Sequence, residues 1–198
     1  MKIFCIGFNK TGTTSLSSLF EDEGYKVAPQ VPFEMGVNFN GDNTSLLKAL
    51  SQYDSYEFFQ DVPFSFPKVY EFLYKKYPNA KYILSVRSNP NEWYESLIRY
   101  HKMNFKNFNN PVNITYIEEG WIYNLLTKIY GAPECDPYNK ESIIQSYKDH
   151  NNNVRDFFRG KGNFIEINLS NTFDFERLND FMGYTFKSVC FPHKNKSV

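Results

Sequence analysis

Met1-Lys-Ile-Phe-Cys-Ile6 is followed by Gly7-Phe8-Asn9-Lys10-Thr11-Gly12-Thr13-Thr14-Ser15, and then by Leu16-Ser-Ser-Leu19-Phe20. An apolar run stops at a loop rich in glycine and hydroxyl side chains, and the loop enters apolar residues at helical spacing. This predicts a short buried strand, a tight loop and a helix start in direct succession. Such a junction gathers unpaired backbone N–H groups and the positive end of a helix dipole at one point, where an anion sits well. Lys10 adds a full charge, and Thr11, Thr13, Thr14 and Ser15 add hydroxyl donors. The stretch reads as a cradle for a phosphate-type anion. It is not a Walker A loop, Gly-x-x-x-x-Gly-Lys-Ser/Thr. Gly7 and Gly12 have that separation, but the lysine stands two residues before Gly12 and Thr13 follows it. An ordinary capped turn would need one hydroxyl, not four with a lysine between two glycines.

Working outward, residues 2–6 predict a strand and 13–23 a helix ending near Gly24. A second strand is expected at Tyr25–Ala28 and a loop at 29–42, which holds Pro29, Pro32, Gly36 and Gly41. A short helix to about Leu50 or Tyr53 precedes a strand at 55–59, stopped by Gln60-Asp61-Val62-Pro63. A helix at 65–77, a strand at 82–86 and a helix from Asn89-Pro90 to about Tyr100 follow. Residues 103–115 are Asn-rich and read as a surface loop or lid. Helices are expected at about 116–130 and 139–159, a strand at 164–167 and a helix at 173–182. Strands and helices alternate, and the strands are nearly continuous apolar runs. This calls for one α/β domain over residues 1–198: a three-layer fold with a parallel sheet of about five strands, helices on both faces. Asp61 and Arg87 then fall just past strand ends, on the edge where open α/β sheets bind ligands.

Composition narrows the function. Lys plus Arg and Asp plus Glu number 22 each, so the formal net charge is zero. No overall basic field would draw the protein to nucleic acid or an anionic membrane, and any anion site must be local. The 20 Phe and 15 Tyr predict an aromatic core, with a few rings left for an adenine or acceptor pocket. Cys5, Cys135 and Cys190 are odd in number, widely spaced and without a metal or redox pattern, which suggests reduced thiols and a cytoplasmic setting. No stretch approaches the ~20 apolar residues of a membrane span, and the N-terminal run is not the pattern of a secretory leader.

Lys10-Thr-Gly-Thr-Thr-Ser-Leu16 resembles the 5′-phosphosulfate loop of sulfotransferases that use 3′-phosphoadenosine 5′-phosphosulfate (PAPS). Lys81-Tyr-Ile-Leu-Ser-Val-Arg87-Ser-Asn-Pro90, with Trp93-Tyr94-Glu95-Ser96, is similar to their 3′-phosphate segment. The resemblance continues at Tyr147-Lys-Asp-His150-Asn151 with Val154-Arg155, and at Cys190-Phe191-Pro192-His193-Lys-Asn195. It is greatest to the small P-loop-type enzymes with a Trp-Tyr-Glu-Ser motif. The resemblance implies transfer of a sulfuryl group from PAPS to a hydroxyl or amine of a small-molecule or glycan acceptor, releasing 3′,5′-bisphosphoadenosine (PAP). In-line displacement of this kind requires no metal.

Under that reading Asn9, Lys10 and residues Thr11 to Ser15 hold the 5′ end, and Lys10 stabilises the charge developing on the leaving oxygen. Arg87, a planar fork matched to phosphate, suits the 3′-phosphate, with Ser96 as partner by resemblance or Ser88 in its place. Arg159 and Lys161, in Arg-Gly-Lys-Gly, are either another phosphate contact, as in related enzymes, or a solvated turn. The base is Asp61, which resembles an acidic residue placed before a proline in the family, or His101. His150 resembles a His-Asn pair on the nucleotide side, and His193 lies in the tail. Two other functions compete: an ATP- and Mg²⁺-dependent small-molecule kinase, whose Gly-Lys-Ser/Thr order is missing here, and a catalytically silent nucleotide-binding module.

Overall fold

In the computed structural model, which describes residues 1–192, four parallel strands form one sheet. They are β1 (Ile3–Cys5), β2 (Phe58–Phe59), β3 (Lys81–Ser85) and β4 (Phe164–Ile167), in the order β2-β1-β3-β4. Ile3 pairs with Phe58 and Lys81, Cys5 with Ile83, and Leu84 with Glu166. Because side chains alternate along a strand, the sheet has two distinct faces. Ile3, Cys5, Ile83 and Ile165 pack under α1 (Thr13–Asp22) and α8 (Phe173–Met182) through Leu16, Leu19, Phe20, Phe175 and Leu178. Phe4, Tyr82 and Leu84 face the other way. They meet α4 (Val69–Lys76), α5 (Pro90–Asn104) and α7 (Lys140–Phe158) through Leu73, Trp93, Leu97, Tyr147, Val154 and Phe158. Helices on both faces of a parallel sheet give the three layers expected.

The expected fifth strand at 25–28 is reduced to a single parallel bridge, Val27 to Phe58. Glu57 N–H donates to the Lys26 carbonyl and Ala28 N–H to the Phe58 carbonyl, both at 2.8 Å. Pairing ends there because Pro29 has no N–H to continue the ladder. The strand predicted over 55–59 keeps only Phe58 and Phe59 in the sheet.

Residues 29–42 are not all loop, since Gln30–Met35 forms α2. Pro32 sits in its first turn, a position that proline tolerates. After α3 (Thr44–Gln52) the helix predicted at 65–77 starts only at Val69, because Lys68 has a φ of 64°. The loop predicted at 103–115 contains a 3₁₀ turn, Pro111–Asn113. The helix predicted at 116–130 begins at Trp121 as α6 (Trp121–Asn124), which runs into a π-helical turn, Leu125–Ile129. Among the described residues no helix is long and apolar enough to cross a membrane. His193 lies outside the described residues.

Candidate active site

All four strands point the same way, so the turns that follow them share one edge. A cavity of about 580 Å³ opens there, lined by residues 9–15 after β1, Asp61 after β2, Arg87 after β3 and residues 168–170 after β4. That volume lies within the ordinary range for a small-molecule site.

The first turn is built from close approach and left-handed backbone. A Cβ on Gly7 would lie 2.2 Å from the Ser85 carbonyl oxygen, so only glycine lets the chain pass β3 here. Lys10 has φ 64° and Gly12 φ 100°, and a Cβ on Gly12 would also lie 2.6 Å from Leu169 Cδ2. The first backbone bond of α1 runs from Leu16 N–H to the Gly12 carbonyl at 3.1 Å. The amides of Thr13 and Thr14 therefore emerge at the helix end toward the cavity they line.

Side chains from three other elements grip the main-chain carbonyls of this turn. Trp93 Nε1 donates to Asn9 O at 2.8 Å, Arg87 Nε donates to Lys10 O at 3.0 Å, and His150 Nε2 donates to Ile6 O at 2.8 Å. Tyr130, just past the π-helical turn, donates to Asn9 Oδ1 at 3.1 Å. The Trp93 ring stacks on Tyr147 at 4.4 Å, and the Tyr147 hydroxyl accepts from Arg87 N–H at 2.9 Å. Thr11 is turned inward. Its hydroxyl donates to Phe8 O and meets Ser85 Oγ, both at 2.6 Å, so it ties the loop to β3 and only its backbone remains for a ligand. His150 is fully interior and stacks on Phe8, and burial pulls its pKa down to about 4. It is a neutral support for the turn.

Among the ionisable groups on the cavity, Lys10, Asp61 and His101 are displaced from their ordinary behaviour. Lys10 places its ammonium 3.9 Å over the Tyr100 ring, and burial lowers its pKa, opposed by Asp61. Asp61 has φ 61° and accepts from Val62 N–H at 2.9 Å and from the Thr13 hydroxyl at 3.4 Å; burial pushes its pKa up to about 6. Two non-glycine residues in left-handed backbone on one cavity is the kind of strain that concentrates at functional sites. His101 is 1% exposed with Nδ1 3.0 Å from the Tyr138 hydroxyl, and burial, with Lys10 adding, pushes its pKa down to about 3.

The structure brings Asn9, Lys10, Thr11, Gly12, Thr13, Thr14, Ser15, Asp61, Arg87, Ser96 and His101 onto this one cavity. Ser96 lies on the α5 face that also presents Glu92, Glu95 and Arg99, at helical spacing. Ser88 is not at the wall; it meets Asn168 Nδ2 at 2.6 Å.

Of the two readings of Arg159 and Lys161, the solvated turn is the one their surroundings fit, since neither lines the cavity. They precede β4, so they sit at the amino edge of a parallel sheet while the cavity is at the carboxyl edge. Arg159 pairs with Asp156, and Lys161 reaches the Phe157 carbonyl and lies over the Phe157 ring.

The sequence reading missed Gln30, Glu34, Tyr100, Tyr116 and Trp121, all on the cavity wall. Glu34 is 3% exposed and accepts from Gln30 Nε2 at 2.7 Å and from the Tyr116 hydroxyl at 3.1 Å. Burial, with Asp61 adding, pushes its pKa up to about 6. The signal available was a glutamate followed by apolar residues on the one stretch of 29–42 with helical spacing.

The family described as a sulfotransferase domain matches residues 2–198, which takes in every turn and helix at the cavity. The chain belongs to the sulfotransferase domain family. A search of curated proteins found no match. For this sulfotransferase-domain protein the turn after β1, Arg87 and Trp93 form one connected unit.

Proposed function

We propose that the protein transfers the sulfuryl group of PAPS to a hydroxyl or amine of a small acceptor, without a metal. The observation that carries this reading is the convergence of Lys10, the first amides of α1 and Arg87 on one cavity. PAPS carries a sulfate on its 5′-phosphate and a separate 3′-phosphate, so it needs two anion sites held apart. The α1 end and Lys10 suit the first. Arg87 suits the second: its Nε is engaged by Lys10 O, which aims the fork and leaves its terminal nitrogens to face phosphate, with Ser96 on the neighbouring helix face.

Transfer requires little beyond position and charge. The acceptor oxygen attacks sulfur, and the departing 5′-phosphate oxygen gains negative charge. Lys10 and the α1 amides are preorganised for that charge, and stabilise it more than the ground state. Asp61 suits the base: it sits beside Thr13 at the same end of the cavity, is ionised at neutral pH, and is more basic than an ordinary aspartate. His101, at about 3, is too weak a base at neutral pH and is held by Tyr138.

The test is thermal shift and calorimetry with PAP against ADP and Mg²⁺, followed by assay with labelled PAPS. PAP should raise the melting temperature and ADP with Mg²⁺ should not. The reverse result makes the protein a kinase. PAP binding without transfer to any of a broad acceptor set makes it a silent binding module.

A further inference from the structure

Beyond the loop and Arg87, the cavity wall includes Glu34, Asp61, Tyr100, Phe105, Tyr116 and Trp121, with Glu92, Glu95 and Arg99 on the α5 side; Arg99 forms an ion pair with neither Glu34 nor Asp61. Glu34 is buried and Asp61 partly buried, and neither carboxylate belongs to any ion pair among the described residues. Glu34 has only the neutral amide of Gln30 and the hydroxyl of Tyr116 as side-chain partners. Asp61 has an amide N–H, the Thr13 hydroxyl and the neutral amide of Gln30, and the cation it feels, Lys10, is already committed to the donor in the reading above. Buried carboxylates are ordinarily paired with a cation, because neutral hydrogen bonds do not replace the lost hydration of a full charge. Donor binding adds further negative charge to the same space. The rings supply faces as well as walls: Tyr116 lies 5.2 Å from Trp121 and 5.8 Å from Phe105, a continuous aromatic surface of the kind that holds an ammonium.

We propose that the acceptor is a small molecule bearing an ammonium group beside its reacting hydroxyl, and that Glu34 is the residue that selects it. The ammonium supplies the positive charge that Glu34 and Asp61 lack. A neutral alcohol leaves both carboxylates unanswered, and an anionic one is repelled. In the reaction the hydroxyl oxygen forms a bond to sulfur, and the bond from sulfur to the 5′-phosphate oxygen breaks with its electron pair leaving on PAP. The hydroxyl proton passes to Asp61, and the ammonium on Glu34 takes no part. The fate of the hydroxyl rests on the proposed sulfuryl transfer, but the charge preference can be read separately.

The experiment is a charge series on one scaffold, measured by calorimetry with and without PAP. The probes are trans-4-aminocyclohexanol, cyclohexanol and trans-4-hydroxycyclohexanecarboxylate, at a pH well above 6 so that both carboxyls are ionised. The amine should bind roughly tenfold or more tighter than the neutral alcohol, the scale of a buried charge-assisted hydrogen bond. The carboxylate should bind no better than the alcohol. Glu34→Gln should bring the amine preference to about threefold or less with PAP affinity unchanged, and Glu34→Met, which also removes the charge, serves in its place if the glutamine variant does not fold. Equal binding of amine and alcohol, preference for the acid, an amine preference that survives in the variant, or no binding of any probe at millimolar concentration overturns the inference. PAP binding without charge preference defeats this inference alone. Charge preference without PAP binding keeps the amine site and defeats the transfer reading.

Discussion

The two walls of the cavity are held in different ways. On the proposed donor wall, side chains grip the main chain: Trp93 holds the carbonyl of Asn9, Arg87 that of Lys10 and His150 that of Ile6. On the proposed acceptor wall, the contacts to the carboxylates run between side chains, as Gln30 and Tyr116 do on Glu34 and Thr13 does on Asp61, with one main-chain contact from Trp121 to the Glu34 carbonyl. The first arrangement fixes a backbone shape, so the amides presented to a ligand depend little on which side chains surround it. The second fixes a pattern of charge, which changes with one substitution. A donor site common to many acceptors and an acceptor site tunable by single residues is the division of labour this contrast implies.

The largest expected effect tests the donor wall. Lys10→Ala removes the one full positive charge on the turn and should lower turnover by about 10²–10³-fold, as loss of a preorganised donor to a developing anion does. Turnover is the quantity to measure, at saturating donor and acceptor. A near-normal rate would show that the α1 amides suffice and that Lys10 serves binding alone.

Asp61 stands between the walls, so its removal should cost less, about 10²-fold for a positioned base. The sign of the pH effect follows from its displacement. Burial raises its pKa to about 6, the base must be ionised to act, and so kcat/KM should rise with pH through about 6 and level off above it. Measured in the Glu34→Gln background, which removes the other carboxyl that titrates near 6, Asp61→Asn should abolish that limb, whereas His101→Ala should leave it in place. The opposite pattern would move the base to His101 and break the assignment of Asp61 to the chemistry.

The same contrast governs what the sequence makes legible. The turn from Gly7 to Ser15 is contiguous, its special backbone needs glycine at two positions, and its charge and hydroxyls stand next to one another. All of that is local, and it can be read without knowing the fold. Arg87 is legible because it directly follows a clear apolar strand, Tyr82 to Val86. The acceptor wall draws Gln30 and Glu34 from α2, Tyr100 and Phe105 from the end of α5, and Tyr116 and Trp121 from the following segment. No local pattern ties these together; only tertiary packing does. The same applies to strand count, where Val27 has strand composition but Pro29 limits it to one bridge.

A smaller effect separates backbone shape from side-chain content. Gly12→Ala places a Cβ in left-handed backbone and 2.6 Å from the flexible end of Leu169, at the mouth of the anion site. Strain of about 1–2 kcal/mol is expected, and PAP affinity should fall with it. Gly160→Ala has the same backbone problem at φ 78° with nothing within 4 Å. It should cost about 1 kcal/mol and leave PAP affinity untouched. Urea unfolding and PAP titration of the pair measure the two costs separately. If both variants lose PAP affinity equally, the loss reflects global destabilisation rather than the shape of the turn.

The smallest effect is expected at the second glycine-and-lysine turn, and that makes it a sharp control. Arg159 and Lys161 share the composition of the donor turn but precede β4 instead of following a strand. A parallel sheet carries its ligand edge where strands end, so the same residue types at the other edge meet only solvent and local partners. Arg159 forms an exposed pair with Asp156 three residues earlier, a kind of contact whose contribution is small. Lys161 packs along Phe157. Replacing either by alanine should change stability by no more than about 0.5 kcal/mol and leave PAP affinity and turnover unchanged. A tenfold loss of PAP affinity in either variant would mean that the donor extends to the amino edge of the sheet. It would then be the position of Lys10 after β1, rather than its chemistry alone, that no longer explains why one basic glycine turn binds and the other does not.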